Sequence, residues 1–140
     1  MRSIDEITMK PIGVIQAYPD RNSAPMQGIL QKGSYGELTV FDEYLEGIRD
    51  IEAGDWCIFT FYFHLSDRCK LVTVSGRSGL EKGIYSTRSP SRPNGIGISV
   101  VRVVNRQGGT IYFEGADMID GTPLLDIKPY DSALHPQVEA

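Results

Sequence analysis

The chain has 140 residues and 15.5 kDa, 41% of them apolar and 23% charged, the balance of one soluble domain covering residues 1–140 rather than of a disordered or multidomain protein. No apolar stretch approaches the roughly 18 residues of a membrane span, and no apolar signal segment follows Met1-Arg2-Ser3-Ile4-Asp5-Glu6, so a cytoplasmic location is expected. The net charge of −4 conceals an asymmetry: residues 68–106 hold eight cations and one acid, Glu81, for a local charge of +7. Such a one-signed stretch is either a footprint for a polyanion, nucleic acid above all, or a solvated face balanced by the acids at 42–55.

Fifteen glycines and eight prolines punctuate short runs of β-branched and aromatic residues, a pattern that favours strands. Strands are expected at 7–17, 37–40, 55–65, 70–75, 98–104 and 110–114, with a last extended piece at 123–127. One amphipathic helix competes, because Phe41, Tyr44, Leu45, Ile48 and Ile51 recur at helical spacing while Asp42, Glu43, Glu46, Asp50 and Glu52 fill the opposite side. Trp56 to Phe63 is apolar almost throughout, as in a strand buried on both faces. From Asp131 onward a loose tail is expected. Six or seven short strands with one helix suit a mainly β fold, a small antiparallel barrel.

Two stretches carry candidate chemistry. In Thr87-Arg88-Ser89-Pro90-Ser91-Arg92-Pro93-Asn94-Gly95 the prolines forbid a helix and stiffen a loop that presents Arg88 and Arg92 beside Ser89 and Asn94. A pre-ordered loop loses less entropy on gripping a ligand, and guanidinium forks suit carboxylates and phosphates. In Asp120-Gly121-Thr122-Pro123-Leu124-Leu125-Asp126-Ile127-Lys128-Pro129-Tyr130, extended backbone places Asp126, Lys128 and Tyr130 on one face and Leu125 and Ile127 on the other. An exposed Asp126–Lys128 pair without further purpose is the plainer alternative.

There is no phosphate-binding GxxxxGK[ST] loop, and Gly95-Ile96-Gly97 lacks the third glycine of a dinucleotide fingerprint. His64 sits among apolar residues and His135 near the C-terminus, so hydrolysis through a histidine is weakly supported. Cys57 and Cys69, twelve apart, form neither a zinc cluster nor a disulfide framework, and no metal is expected.

The string 87–94, followed by Ile96-Gly97-Ile98-Ser99-Val100-Val101, together with 120–130, closely resembles the TsaA-like, or TrmO-type, tRNA methyltransferase family. Pro11-Ile12-Gly13-Val14-Ile15 and Ala24-Pro25-Met26-Gln27-Gly28 are similar to that family's opening strand and loop, so the resemblance spans roughly residues 9–131. It implies a non-Rossmann enzyme that uses S-adenosyl-L-methionine, works as a homodimer and methylates N6 of threonylcarbamoyl-modified adenosine in the tRNA anticodon loop. It places cofactor contacts on Pro25, Met26, Gln27, His64, Leu65, Arg88, Ile98, Asp117, Met118, Ile119, Asp120 and Gly121. Met26 stands where the family usually has Arg, and Gly95 where a Pro normally follows the Asn.

An exocyclic adenine amine is a poor nucleophile, so catalysis needs orientation and an acceptor for its proton. The expected division gives Ser89, Arg92 and Asn94 to substrate binding and Asp126, Lys128 and Tyr130 to catalysis. Asp126, or a backbone carbonyl beside it, is the candidate acceptor, Lys128 and Arg92 hold anionic groups, and Tyr130 contacts the base. The competing readings are a cofactor-binding or RNA-binding module without turnover, and methylation of a small metabolite.

Overall fold

The computed structural model describes residues 5–138; the opening residues 1–4, read above for a signal segment, lie outside them. Eight strands run in chain order as β1 (Gly13–Gln16), β2 (Tyr35–Val40), β3 (Trp56–Tyr62), β4 (Val72–Val74), β5 (Glu81–Gly83), β6 (Ile96–Gln107), β7 (Thr110–Glu114) and β8 (Thr122–Pro129). Six of them close into a barrel in the order β1-β2-β7-β6-β3-β8, every pairing antiparallel. Closure leaves the barrel no unpaired edge. Strands β4 and β5 pair only with each other and form a separate ribbon.

Alternation along each barrel strand fills the interior with Ile15, Leu38, Val40, Phe59, Phe61, Val101, Val103, Ile111, Phe113 and Leu124. Phe59 and Phe113 meet edge to face at 5.0 Å. Strand β3 follows the same rule instead of being buried on both faces: Cys57, Phe59 and Phe61 point inward, while Trp56 and Tyr62 are exposed. Its outer face remains apolar because Ile58 lies between those two aromatics, and on paired β6 Ile96 and Ile98 are exposed as well.

The expected helix is wound as a 3₁₀ segment, Asp42–Ile48, with i→i−3 bonds such as Tyr44 N–H to the Phe41 carbonyl. Gly47 inside it and the acids Glu43, Glu46 and Asp50 at helical spacing disfavour a regular α-helix. Its apolar face is nevertheless used as the periodicity implies: Tyr44, Leu45, Ile48 and Ile51 pack against one end of the core. The strand expected at 7–17 is confined to Gly13–Gln16, and β5 was not expected. In β8 the pairing with β3 slips between Thr60 and Phe61, so Leu124 faces Phe61 and Asp126 faces Thr60. That bulge puts Leu124, not Leu125, in the core beside Ile127. The expected loose tail begins as a 3₁₀ turn, Ser132–Leu134, capped by Asp131, with His135 stacked on Tyr130 at 4.9 Å. No helix among the described residues is long and apolar enough to cross a membrane.

Candidate functional site

Three connections converge at the barrel end away from the 3₁₀ segment. The first, residues 24–28, leads into a 3₁₀ turn at Gly28–Leu30. Gly28 is buried so closely against the carbonyl oxygens of Gly115 and Ala116 that a β-carbon there would collide with both. Its N–H donates to Asp117 Oδ2 at 3.1 Å, and the hydroxyl of Ser99, buried on β6, donates to Oδ1 at 2.7 Å. Burial pushes the Asp117 carboxyl above its ordinary value, and those two bonds and the charge of Arg88 pull the other way. Asp117 thus ties loop to barrel with both its oxygens. Beside it Pro25 and Gln27 are half-buried and Met26 is exposed. Tyr18, Ser34 and the Ala116 carbonyl continue the polar packing through a hydrogen-bonded chain.

The second connection, 84–95, is stiffer than its prolines alone require. Thr87 Oγ1 donates to the Ile84 carbonyl at 2.9 Å and receives the Ser89 N–H at 3.2 Å. Arg92 Nη1 donates to the carbonyls of Thr87 and Ser89 at 2.9 and 3.2 Å, and its guanidinium lies 6.0 Å from the Tyr85 ring centre. Arg92 therefore braces its own loop, and Ser89 is half-buried within it, whereas Arg88 and Asn94 are exposed. Gly95 adopts φ +60°, a conformation closed to proline, while its carbonyl receives the Phe63 N–H at 2.8 Å. This explains locally why glycine stands where the resemblance leads one to expect Pro.

The third connection, 117–121, is latched to the end of β1. Asp120 Oδ1 receives the Ala17 N–H at 2.7 Å, and Gly121 N–H donates to the Ile15 carbonyl at 2.8 Å. A β-carbon on Gly121 would lie 3.6 Å from His64 Nε2, so His64 borders this turn and is not a core residue. Leu65 and Ile98 are exposed and Ile119 half-buried. Met118 departs from the expected cofactor set: its side chain is 2% exposed in the core, and only its backbone, whose carbonyl accepts from Tyr18 N–H, lies on the turn.

The face on which catalysis is expected lies elsewhere. Lys128 Nζ pairs with Asp126 Oδ2 at 2.8 Å, and that hydrogen bond raises the lysine's pKa. Tyr130 N–H donates to the Trp56 carbonyl, at the opposite end of β8 from Gly121. Eight residues of extended chain lie between Gly121 and Tyr130, a span of about 30 Å at the usual rise. A groove of about 1420 Å³ holds Asp126, Trp56 and Tyr130 and extends to Ile29 and Val100, which adjoin the 24–28 loop.

Sequence reasoning missed Ser99. The available signal was a hydroxyl at an inward position of β6, between Gly97 and Val101, where every other inward residue is apolar or glycine. The basic run also divides. Arg106 donates to the Arg49 carbonyl beside the acidic 3₁₀ segment, whereas Arg68, Lys70, Arg77, Lys82 and Arg88 stand exposed on or around the ribbon.

The family model for the tRNA-methyltransferase O N-terminal domain matches residues 14–134. Among similar proteins, a probable S-adenosyl-L-methionine-binding protein of Pyrococcus abyssi is 40% identical over 125 residues, covering 89% of this chain and 68% of its own. The human tRNA (adenine(37)-N6)-methyltransferase is 48% identical over 130 residues, 86% of this chain but 29% of its own. The crystal structure of TrmO from Pseudomonas aeruginosa superposes with a TM-score of 0.78 at 30% identity, covering 96% of this chain and 60% of that one. The chain thus spans under a third of the human relative and somewhat less than two thirds of that solved structure. On the match over residues 14–134, with the loops at 24–28, 84–95 and 117–121 all inside it, the chain belongs to the tRNA-methyltransferase O N-terminal domain family.

Proposed function

We propose that this chain is a single domain that binds S-adenosyl-L-methionine and methylates N6 of an adenosine, threonylcarbamoyl-modified, in the anticodon loop of a cytoplasmic tRNA. The observation that carries the reading is the convergence of the 24–28 loop, Arg88, Asp117 and the His64–Gly121 border at one barrel end. The groups there fit the cofactor's chemistry. Arg88, exposed and outside every ion pair among the described residues, suits its carboxylate; Met26 and Leu65 offer apolar surface; Pro25, Gln27, Ile98 and the 117–121 backbone complete the set. When bound, the cofactor supplies an electrophilic methyl group. The chain's own task is orientation, which can lower a barrier by about 7 to 11 kcal/mol, and removal of the amine proton, for which Asp126 is the acceptor. Lys128 holds an anionic group of the substrate, Tyr130 contacts the base, and Ser89, Arg92 and Asn94 shape the entrance, Arg92 chiefly by holding the loop.

The separation of Gly121 from Tyr130 along β8 and the exposed apolar outer faces of β3 and β6 support a homodimer, in which a second copy brings the β8 face towards the loops. A second reading, a binding module without turnover, draws on the engagement of Asp126 with Lys128. Titration calorimetry with S-adenosyl-L-methionine, followed by mass spectrometry of nucleosides from tRNA incubated with protein and cofactor, separates the two. Methylated adenosine is expected; saturable cofactor binding with no methylated nucleoside favours the module, and no binding removes both.

A further inference from the structure

The β4–β5 ribbon has a surface that the barrel does not explain. Leu71, Val72, Val74, Leu80 and Tyr85 are all exposed, Tyr85 by 75%, on a piece of chain that pairs with no barrel strand. So many large apolar side chains on one small projection mark an interaction surface. Around them stand Arg68, Lys70, Arg77, Lys82 and Arg88, all exposed, against two acids, Asp67 and Glu81. None of these cations takes part in an ion pair among the described residues.

An apolar ribbon face holding Val72 and Val74, with Lys82 on the reverse face and further unpaired cations at its margins, matches one kind of partner well. Unpaired nucleotides expose base faces that stack on apolar and aromatic side chains, and phosphates that take up the cations; a duplex offers its bases to neither. From this combination we infer that the ribbon is the docking surface for an unpaired RNA segment and guides it to the candidate cofactor site. The ribbon's attachments set that direction. Its base is fastened to the 84–95 connection by Ile84 N–H to the Leu71 carbonyl and Lys70 N–H to the Ser91 carbonyl, each at 2.9 Å. Its turn reaches the 24–28 loop, since a β-carbon on Gly76 would lie 2.7 Å from Met26 Cε. An RNA strand lying along the ribbon is therefore bounded by Arg88 and Met26. Arg92, 6.0 Å from the ring centre, steadies Tyr85 as a stacking platform while the ring stays largely open. This inference rests on the reading of the chain as an RNA-modifying protein, but its test needs neither cofactor nor turnover.

The test measures fluorescence anisotropy of a labelled RNA stem-loop and of a fully paired duplex of equal length, without cofactor. The stem-loop is expected to bind the more tightly. Arg77→Gln combined with Lys82→Gln should weaken stem-loop binding about tenfold and reduce the log–log salt slope by about 1.4, the value for two cations on a single strand. Val72→Ser with Val74→Ser should weaken binding with the slope unchanged, whereas Arg106→Gln should alter neither. Should the valine variant melt early, the exposed Arg77 and Lys82 pair decides. The inference is overturned if the wild-type protein prefers the duplex or binds neither RNA, or if the ribbon variants bind the stem-loop as the wild type does. It is equally overturned if they sediment as a smaller species with RNA affinity intact, which would make the ribbon a contact between copies of this chain. RNA binding through the ribbon without any cofactor binding would refute the methyltransferase reading and leave this one standing.

Discussion

Ser99 and Asp117 are joined at 2.7 Å across the mouth of the barrel, and the second oxygen of the same carboxylate receives the Gly28 N–H. A single side chain thereby connects β6, the segment before β8 and the loop before the first 3₁₀ turn. Hydrogen bonds to a charged group contribute about 1.5 to 3 kcal/mol each. Ser99→Ala is expected to lower stability in urea by about that much and to weaken cofactor binding, although Ser99 itself is buried behind Asp117. Unchanged binding calorimetry with an unchanged urea midpoint would show that the loop is held by other contacts.

The same carboxylate sets a pH dependence. Burial raises the Asp117 pKa above 3.8, so as pH rises from there the unfolded chain loses this proton before the folded one does. Its contribution to stability must then fall as pH climbs from 3.8 through the raised folded value, and level off above it. Asp117→Asn lacks that component. The difference between wild-type and variant urea midpoints, measured from pH 4 to 8, should shift against the wild type over the lower part of the range and flatten above. A difference independent of pH would mean that the folded carboxyl titrates at its ordinary value.

Gly95→Ala should be destabilising by about 1 to 2 kcal/mol, because φ is +60° and the added β-carbon would lie 2.9 Å from the Tyr62 ring. Gly95→Pro should be worse, since proline cannot reach that φ and removes the N–H that donates to the Arg92 carbonyl. Thermal melts of both variants check the order. An alanine variant as stable as the wild type would show that the loop relaxes.

Arg88→Ala and Lys128→Ala separate the two halves of the proposed site. The first should weaken cofactor binding; the second should leave it nearly unchanged and lower methyl transfer to tRNA, because an interaction made with one ligand is absent from the binding of the other. Equal effects on cofactor affinity, or full transfer by Lys128→Ala, would make the Asp126–Lys128 pair a surface feature.

Strand positions were legible where β-branched and aromatic residues crowd, as in β3, β6 and β7. Strand β5 was not, because Glu81-Lys82-Gly83 has no strand-forming residue and is held by its partner β4. The bulge in β8 was illegible for a related reason: Leu124 and Leu125 are chemically identical, and only the pairing with β3 decides which enters the core. Arg88 lies exposed in the loop to which charge and stiffness point. Arg92 was given to substrate, yet the carbonyls of Thr87 and Ser89 that engage it are invisible in any one-dimensional pattern. Ser99 escaped notice because a small hydroxyl inside a strand announces nothing until its partner, eighteen residues away, is known.

Gly28 docks through its backbone, against two carbonyl oxygens and the Asp117 carboxylate, and none of these contacts involves the side chains of residues 24–27. The anchor at residue 28 is therefore independent of the side chain at residue 26, whose methionine meets the ribbon turn at Gly76. An arginine or a methionine can project from the same rail, so the chemistry offered to a ligand can be exchanged at that position while the rail stays in place. Grafting alternative side chains at position 26 is accordingly a means of retuning ligand preference without rebuilding the barrel, a freedom that position 28 does not share.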